Sequence, residues 1–297
     1  MTRFSDKAHD KATKQLLIHK VNNGQSHNSQ DEVAVEEPLE IRIEFSPLGL
    51  NKHREQKSIS ITMRTPGYDF ELAAGFLLTE GIIQKTEQIK TIDFCGPAVG
   101  EEQLNNTVKV SLQANVKVDL KRLERHFYTT SSCGVCGKTS LEALYVQGQQ
   151  PIDHDNFTIN RESLYQLANS LKQHQTIFNK TGGIHAAAAF NSQAQILQVR
   201  EDVGRHNALD KLIGHMLLNY AKPLTESLSN YGILVSGRAS FELLQKAMMA
   251  RSPLLLAVGA PSSLAVELAE AFNITLIGFL SNNRFNIYSG SQRITDH

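Results

Sequence analysis

The chain has 297 residues, of which 41% are hydrophobic, so it is long enough to bury one large core or two moderate ones. Its thirty basic and thirty acidic residues cancel, which excludes a global field that would draw it to nucleic acid or to a membrane surface. Three cysteines are too few for a disulfide framework, and no apolar run approaches the ~20 residues of a membrane span. Composition therefore predicts a cytoplasmic protein that neither binds nucleic acid nor inserts into a membrane.

The N-terminal half begins with a polar segment and continues with strands. Residues 1–32 are rich in polar residues and lack hydrophobic periodicity, which predicts a disordered, mobile arm. Strands are predicted at 39–45, 58–63, 91–94 and 107–112. Helices are predicted at 68–78, 119–127 and 139–145. We therefore expect residues 33–150 to form a smaller, β-rich subdomain with α+β elements that ends in a cysteine-containing loop.

The C-terminal half, residues 151–297, alternates apolar strands with amphipathic helices. Strands are predicted at 196–199, 232–235, 254–258, 274–280 and 285–288. Helices are predicted at 164–178, 208–218, 241–249 and 265–272. Apolar strands between such helices are typical of sheets covered on both faces, which bind ligands beyond the carboxyl ends of their strands. We therefore predict an α/β subdomain with a mixed, largely parallel sheet and a nucleotide or cofactor site at that edge.

A pair of thiols dominates the glycine-rich segment 131–138. Cys133 and Cys136 lie at a spacing that can bind a metal, cycle as a dithiol, or carry sulfur. Tetrahedral zinc would need two further ligands, and no second pair at finger spacing follows, so we predict no metal site. Redox cycling and sulfur transfer both need a thiolate, which Lys138 could favour. Taken without the surrounding motifs, the cysteine pair leaves all three uses open: metal binding, redox cycling and sulfur transfer.

Arginines follow several predicted strands at turns of small residues. The segment 236–240 runs from a strand into a helix, which directs backbone N–H groups and Arg238 outward and suits an anion. Arg205 and Arg284 follow other strands, so the three guanidinium groups could meet on phosphates. Arg205 could equally pair with Asp202 or Glu201 as a local brace.

Two histidines belong to the same group of loops. His185 ends a flexible loop that contains Gly183, and His206 follows Arg205. Each histidine is as consistent with a hydrogen-bonded structural role as with a place in a binding site.

Four motifs occur together over about residues 37–290. They are PGYDFELAAGF at 66–76, SSCGVCGK at 131–138, REDVGRHNALDK at 200–211 and SGRASFE at 236–242. In this order they resemble the formate dehydrogenase accessory sulfurtransferase (FdhD/NarQ) family. The resemblance implies a cytoplasmic protein with a cytidine deaminase-like three-layer fold.

The resemblance also implies a function. Members accept sulfur from a cysteine desulfurase as a persulfide and pass it to the molybdenum bis(molybdopterin guanine dinucleotide) cofactor, or its tungsten form, before insertion into formate dehydrogenase. By this analogy Cys133 carries the persulfide and Cys136 is auxiliary, and a guanine nucleotide such as GDP should mimic part of the cofactor. The two dinucleotide arms of the cofactor suggest a homodimer. The residues expected to bind the cofactor are Gly183, His185, Arg205, His206, Ser236, Gly237, Arg238, Phe279, Leu280, Ser281, Asn282, Asn283 and Arg284.

Two other functions compete with this interpretation. A zinc deaminase would use H-x-E followed by P-C-x-x-C, and His53 and Glu55 do match the first part. Ser132, however, stands where the proline should precede the cysteine pair. A non-catalytic chaperone that binds the cofactor without transferring sulfur is the second alternative.

Overall fold

A computed structural model describes residues 12–47, 53–99, 104–118, 149–152, 157–219 and 229–296. The described residues form mixed α/β structure with several sheets. No helix among them is both long enough and apolar enough to cross a membrane. The cysteine pair and the helices predicted at 119–127 and 139–145 lie outside the described residues.

A β-hairpin occupies most of the segment predicted to be a mobile arm. Strands β1 (Thr13–Asn22) and β2 (Gln25–Ala34) pair antiparallel around a two-residue turn. The turn residues Asn23 and Gly24 have φ values of 50° and 79°, as a type I′ turn requires, and Asn-Gly is the preferred pair for it. The prediction of disorder is therefore wrong for residues 13–32, because it weighed hydrophobic periodicity and overlooked the turn.

A four-stranded sheet follows the hairpin, in the order β4-β3-β8-β5. Its strands are β3 (Glu37–Phe45), β4 (Glu55–Arg64), β5 (Ile89–Phe94) and β8 (Thr107–Leu112). A separate short pair consists of β6 (Ala98–Val99) and β7 (Leu104–Asn105). Leu39, Ile41 and Ile43 alternate with polar residues along β3 and are fully buried, so one face of this sheet packs on the core. The strands and the helix α1 (Asp69–Thr79) predicted here are confirmed.

The second large sheet has six strands in the order β11-β10-β12-β13-β14-β15. They are β10 (His185–Phe190), β11 (Ile196–Asp202), β12 (Gly232–Val235), β13 (Leu254–Ala257), β14 (Thr275–Gly278) and β15 (Asn286–Ser289). Only the pairs β12–β13 and β13–β14 are parallel. The sheet is therefore mixed, as predicted, but not largely parallel. The prediction omitted β10, which pairs antiparallel with both of its neighbours.

Helices cover both faces of the six-stranded sheet. They are α2 (Arg161–His174), α4 (Arg205–Asn219), α5 (Phe241–Met249) and α6 (Ser263–Ala271), while the short α3 (Phe178–Thr181) follows α2 and contacts β2 of the hairpin. On one face, Ala186 and Ala188 of β10 pack with Leu164 of α2. On the other face, Ala187 and Ala189 belong to the core that contains α1, α4, α5 and α6. Two further short strands, β9 (Ile159–Asn160) and β16 (Ile294–Thr295), pair parallel beside this sheet.

Helices α1 and α4 cross in direct backbone contact, which joins the two halves of the chain. A Cβ atom on Gly75 would lie 2.9 Å from Gly214 N and would overlap the carbonyl of Asp210. A Cβ atom on Gly214 would likewise overlap the carbonyl of Glu71. Only glycine permits this approach, so these two residues set how the four-stranded sheet docks on the six-stranded one.

Candidate functional site

Several loops meet at one edge of the six-stranded sheet. His185, which begins β10, pairs with Asp202, which ends β11. Ala187 pairs with Val235, so the carboxyl end of β12 lies at the same edge. Strands β13 and β14 run parallel to β12 and end beside it. The predicted site segments therefore come together here, although they are up to about a hundred positions apart in the sequence.

The loops beyond β12, β13 and β14 continue to bond to one another after the strands end. Gly259 N donates to Gly237 O at 2.9 Å, and Phe279 N donates to Gly259 O at 3.1 Å. A Cβ atom on Gly259 would lie 3.0 Å from Arg238 Cα, so a larger residue would push these loops apart. Hydrogen bonds between the three loops therefore hold their backbone in place at this edge of the sheet.

A cavity of about 650 Å³ opens at this edge. Of the residues predicted to bind the cofactor, its walls contain Gly183, His185, Ser236, Leu280, Ser281 and Asn282. The lining residues that the structure describes include one ammonium group, on Lys172, and no carboxylate. The cavity is therefore compatible with an anionic ligand, because such a ligand would meet no negatively charged wall.

Helix α2 supplies the opposite wall of the cavity, which sequence reasoning missed. Asn169 and Lys172 of the helix line the cavity, and so does Gln175, which follows the last residue of the helix. We predicted this helix only as an amphipathic cover for the sheet. Its polar residues Asn169 and Lys172, at i and i+3, could have shown that part of this face borders a cavity rather than the core.

Ser236, directly after β12, and His185, at the start of the neighbouring strand β10, line the cavity. Ala186 N donates to Ser236 Oγ at 2.9 Å, which orients the serine and leaves its hydroxyl proton available to a ligand. Burial and the nearby Arg205 guanidinium lower the pKa of His185, so its imidazole is neutral at physiological pH.

The three predicted arginines do not line this cavity. Arg238 and Arg284 are exposed at the sheet edge, and Arg205 is half-buried. Phe279 is 39% exposed and has a φ of 56°, an unfavourable backbone conformation for an aromatic residue that its bond to Gly259 helps to hold. Gly237, Asn283 and His206 also lie outside the cavity lining, so contacts of these residues with the cofactor stay predictions.

His206 lies in the first turn of α4 and is enclosed by charged groups. Its Nε2 atom is buried and has no hydrogen-bond partner among the residues that the structure describes. Burial, Lys246 and Arg205 lower the pKa of His206 to about 4, against the opposing effect of Glu242 and Glu80. The imidazole is therefore uncharged near neutral pH.

Other charged residues of the motif at 200–211 are structural. Arg200 donates to Glu71 Oε1 at 2.8 Å and lies 3.9 Å from the centre of the Tyr68 ring. His215 Nδ1 lies 2.9 Å from the same carboxylate oxygen. Burial opposes the charge on Glu71, but the bonds from Arg200 and His215 outweigh it and hold the pKa of Glu71 below its ordinary value. This cluster joins α1 to β11 and α4.

Asp202 is a second structural centre of the motif. It pairs with Lys211 at 2.7 Å and accepts hydrogen bonds from Thr65 N at 3.1 Å and Gly204 N at 2.9 Å. Asp202 and Lys211 are both buried, at 0% and 1% side-chain exposure. Asp202 therefore braces the turn before Arg205 through Lys211 and backbone groups.

The H-x-E sequence at residues 53–55 lies at the start of β4, in the four-stranded sheet. Its middle residue, Arg54, pairs with Glu44 at 2.9 Å and donates to Leu112 O at 2.7 Å. Within the described ranges, no group of three or more His, Cys, Asp or Glu residues is placed to hold a metal ion.

Comparisons with known proteins identify the family. The family model described as FdhD/NarQ matches residues 34–295. The chain is 44% identical over 286 residues to the sulfur carrier protein FdhD of Streptomyces coelicolor, and the alignment covers 96% of each protein. It is 43% identical over 288 residues to the protein of the same name from Mycobacterium tuberculosis, covering 96% of this chain and 99% of that relative. This chain therefore belongs to the FdhD/NarQ family.

A solved structure supports the same fold. The protein comes from Desulfotalea psychrophila and is named provisionally as a formate dehydrogenase accessory protein. The TM-score is 0.69, with 96% of this chain and 100% of the other covered, and the sequences are 22% identical. At that identity the likeness concerns the fold alone.

Proposed function

We propose that this protein is a sulfur carrier for the maturation of formate dehydrogenase. Cys133 takes sulfur from a cysteine desulfurase as a persulfide and transfers it to the molybdenum bis(molybdopterin guanine dinucleotide) cofactor before the cofactor enters its client enzyme. The observation that carries this proposal is the alignment, over 96% of the chain, with relatives named sulfur carriers. The cysteine pair in the segment 131–138 supplies the chemistry that such a carrier needs.

The loading step is a displacement at sulfur. The Cys133 thiolate attacks the outer sulfur of the donor's persulfide, a new S–S bond forms on Cys133, and the donor cysteine leaves as a thiolate. No external oxidant is needed, because one S–S bond replaces another. Two roles remain for Cys136. It could attack the Cys133 persulfide, which would release sulfide and form a disulfide that a thiol reductant must later open, or it could be dispensable.

The acceptor is a substrate of the protein, and we place its guanine nucleotide end in the 650 Å³ cavity. The absence of carboxylates from the described lining, the Lys172 ammonium group and the oriented Ser236 hydroxyl support this placement. Arg205, Arg238 and Arg284 lie at the same sheet edge and are available to the outer phosphates. GDP is accordingly the simplest probe of the site.

We also propose a layer arrangement, a cellular location and an oligomeric state for the protein. Helices on both faces of the six-stranded sheet support a cytidine deaminase-like arrangement of three layers. A reactive thiol pair functions in reducing surroundings, which supports the cytoplasm as its location. Two guanine dinucleotide arms on one cofactor support a homodimer with one site per arm.

Intact mass spectrometry tests the carrier function. After incubation with a cysteine desulfurase and cysteine, the wild-type protein should gain one sulfur, about 32 Da, and should lose it on reduction. The Cys133→Ala variant should gain none, while Cys136→Ala should still be loaded. If the wild type gains no sulfur under conditions that load a known acceptor, the protein is a cofactor chaperone rather than a carrier. Gain that is lost only in Cys136→Ala would assign the persulfide to Cys136.

A further inference from the structure

One short segment forms the shared wall of two cavities. We define the connector as residues 175–183, which join α2 to β10 and include the single turn of α3. Gln175, Phe178 and Gly183 of the connector line the 650 Å³ cavity. Thr176 and Ile177 line a second cavity of about 420 Å³ on its other side. The position of the connector therefore sets the width of both cavities.

A single carboxylate anchors the beginning of the connector. Glu201 of β11 accepts hydrogen bonds from Ile177 N and from Phe178 N, each at 2.9 Å. It also accepts one from Thr176 Oγ1 at 3.3 Å. Glu201 is itself fixed, because it pairs with Ala186 in the sheet. Both of its carboxylate oxygens are thus used to hold three consecutive residues of the connector.

The hydrogen bonds in the rest of the connector are mostly internal to it, such as Gly182 N to Phe178 O at 2.7 Å, and Asn179 Nδ2 joins it to Lys172 O of α2 at 3.1 Å. None of the residues of α3 is buried. The Lys180 side chain forms an exposed ion pair with Glu32, at 3.8 Å, which contributes little to stability. At Gly182, which has a φ of 67°, no atom lies within 4 Å of the position a Cβ would take. This end of the connector can therefore move as a hinge once the anchor is released.

We propose that Glu201 is a positioning residue that holds the connector in place as the outer wall of the ligand cavity. The ligand does not touch Glu201; it gains affinity because Phe178 and Gln175 are already in place when it binds. The inference rests on the proposed function, since it takes the ligand to be the guanine nucleotide end of the cofactor. Glu201, a residue of the motif at 200–211, thus affects ligand binding by fixing the position of the connector.

GDP titration by calorimetry tests the proposal with the full-length protein. We expect Glu201→Ala to weaken GDP binding by about tenfold, because the bonds that hold the connector are lost. Glu201→Gln should bind GDP with intermediate affinity, since its amide keeps one accepting oxygen. The matched control is Glu267→Ala, which removes an exposed carboxylate from α6 on the opposite face of the sheet and should bind as the wild type does.

Amide hydrogen exchange in the free protein separates positioning from a general loss of stability. The amides of Ile177 and Phe178 should exchange faster in Glu201→Ala, while those of β12 and α6 should keep their wild-type rates. Wild-type GDP affinity in Glu201→Ala, or unchanged exchange in the connector, would overturn the inference and leave the carrier function intact. If the wild type does not bind GDP, the proposed cofactor site fails and the inference about affinity fails with it. Sulfur loading of Cys133 is measured separately and does not depend on either result.

Discussion

The charged residues of the motif at 200–211 include buried, paired residues and residues at the candidate site, and the sequence does not distinguish the two. Arg200 and Asp202 are buried and pair with Glu71 and Lys211. Arg205, only three positions further on, is half-buried at the site edge. The pattern of arginines and glycines after a strand predicted that binding residues lie here, but burial depends on what α1 places against β11. That contact is made between residues far apart in the chain, so only the structure reveals it.

His206 should make the free energy of unfolding depend on pH between its ordinary pKa of 6.5 and its folded-state pKa of about 4. Its pKa is about 4 in the folded protein, against 6.5 for an ordinary histidine, because burial, Lys246 and Arg205 disfavour its charged form. The unfolded chain therefore binds the proton more readily, and the folded state loses stability as the pH falls from about 6.5 towards 4. At about pH 4.5 this loss should amount to about 2 kcal/mol.

Chemical unfolding of His206→Gln at about pH 7 and about pH 4.5 measures this contribution. The free energy of unfolding should fall less in the variant between these two pH values than in the wild type, by about 2 kcal/mol. His27→Gln, on the exposed hairpin, serves as the control and should show the wild-type difference. An equal fall in wild type and His206→Gln would show that His206 is protonated without cost in the folded protein.

Strand β10 pairs with β11 and β12 inside the six-stranded sheet, yet the sequence does not predict it. Its run Ala186-Ala187-Ala188-Ala189 has no alternation of polar and apolar residues, and alanine favours helices over strands. Tertiary packing overrides this preference, since small side chains let helices approach both faces of the sheet. Space is also limited between β10 and the neighbouring strand β12, because a Cβ atom on Gly232 would lie 2.8 Å from Phe190 Cε1. Strands β12 and β13, by contrast, were predicted closely from their apolar runs.

At the crossing of α1 and α4 we expect a change from glycine to alanine to lower the stability of the protein, although in most helices it raises it. In an ordinary helix a change from glycine to alanine stabilises by up to ~1 kcal/mol. In Gly75→Ala and Gly214→Ala the added Cβ would strike backbone of the facing helix, which cannot rotate away, so we expect a net loss of about 1–3 kcal/mol. Chemical unfolding of each variant gives the sign.

Gly183→Ala is the matched control for this test. The nearest atom to its added Cβ is Thr181 O at 3.8 Å, so stability should change by less than about 0.5 kcal/mol. If Gly75→Ala were as stable as the control, the two helices would have to be able to separate without cost, and the contact would not determine how the sheets dock.

At the scale of the molecule, the two predicted subdomains do not have separate cores. A single cluster of buried residues runs from Leu39 and Ile41 in the four-stranded sheet to Leu255 and Leu276 in the six-stranded one. Sequence reasoning located a boundary near residue 150 from the change in the pattern of elements. It could not show that α1 packs on α4 rather than on its own sheet alone, because that choice depends on the fit between two glycines.

Polar contacts across the same interface predict that the halves fold together. Among the described residues, five buried charged residues of the C-terminal half have partners in the N-terminal half: Arg200 bonds to Glu71, Asp202 to Thr65 N, Asp210 to Thr79 Oγ1 at 2.8 Å, Lys211 to Thr65 O at 2.7 Å and Lys246 to Thr79 Oγ1 at 3.0 Å. A fragment of residues 151–297 would leave these groups without those partners, at a cost of about 1–3 kcal/mol each. Their sum is comparable to the ~5–15 kcal/mol that holds a typical domain folded.

The fragment 151–297 should therefore fail to fold alone and should recover structure when it is produced together with residues 1–150. Amide exchange in α4 is the measurement, since that helix carries both Asp210 and the crossing residue Gly214. We expect little protection of α4 in the isolated fragment and strong protection in the reconstituted protein. Full-length protein should unfold in one transition, with α1 and α4 losing protection together. A fragment whose α4 is protected as in the full chain would contradict this, and would mean that the apolar packing of α4 on the six-stranded sheet is enough to offset the lost bonds to the N-terminal half.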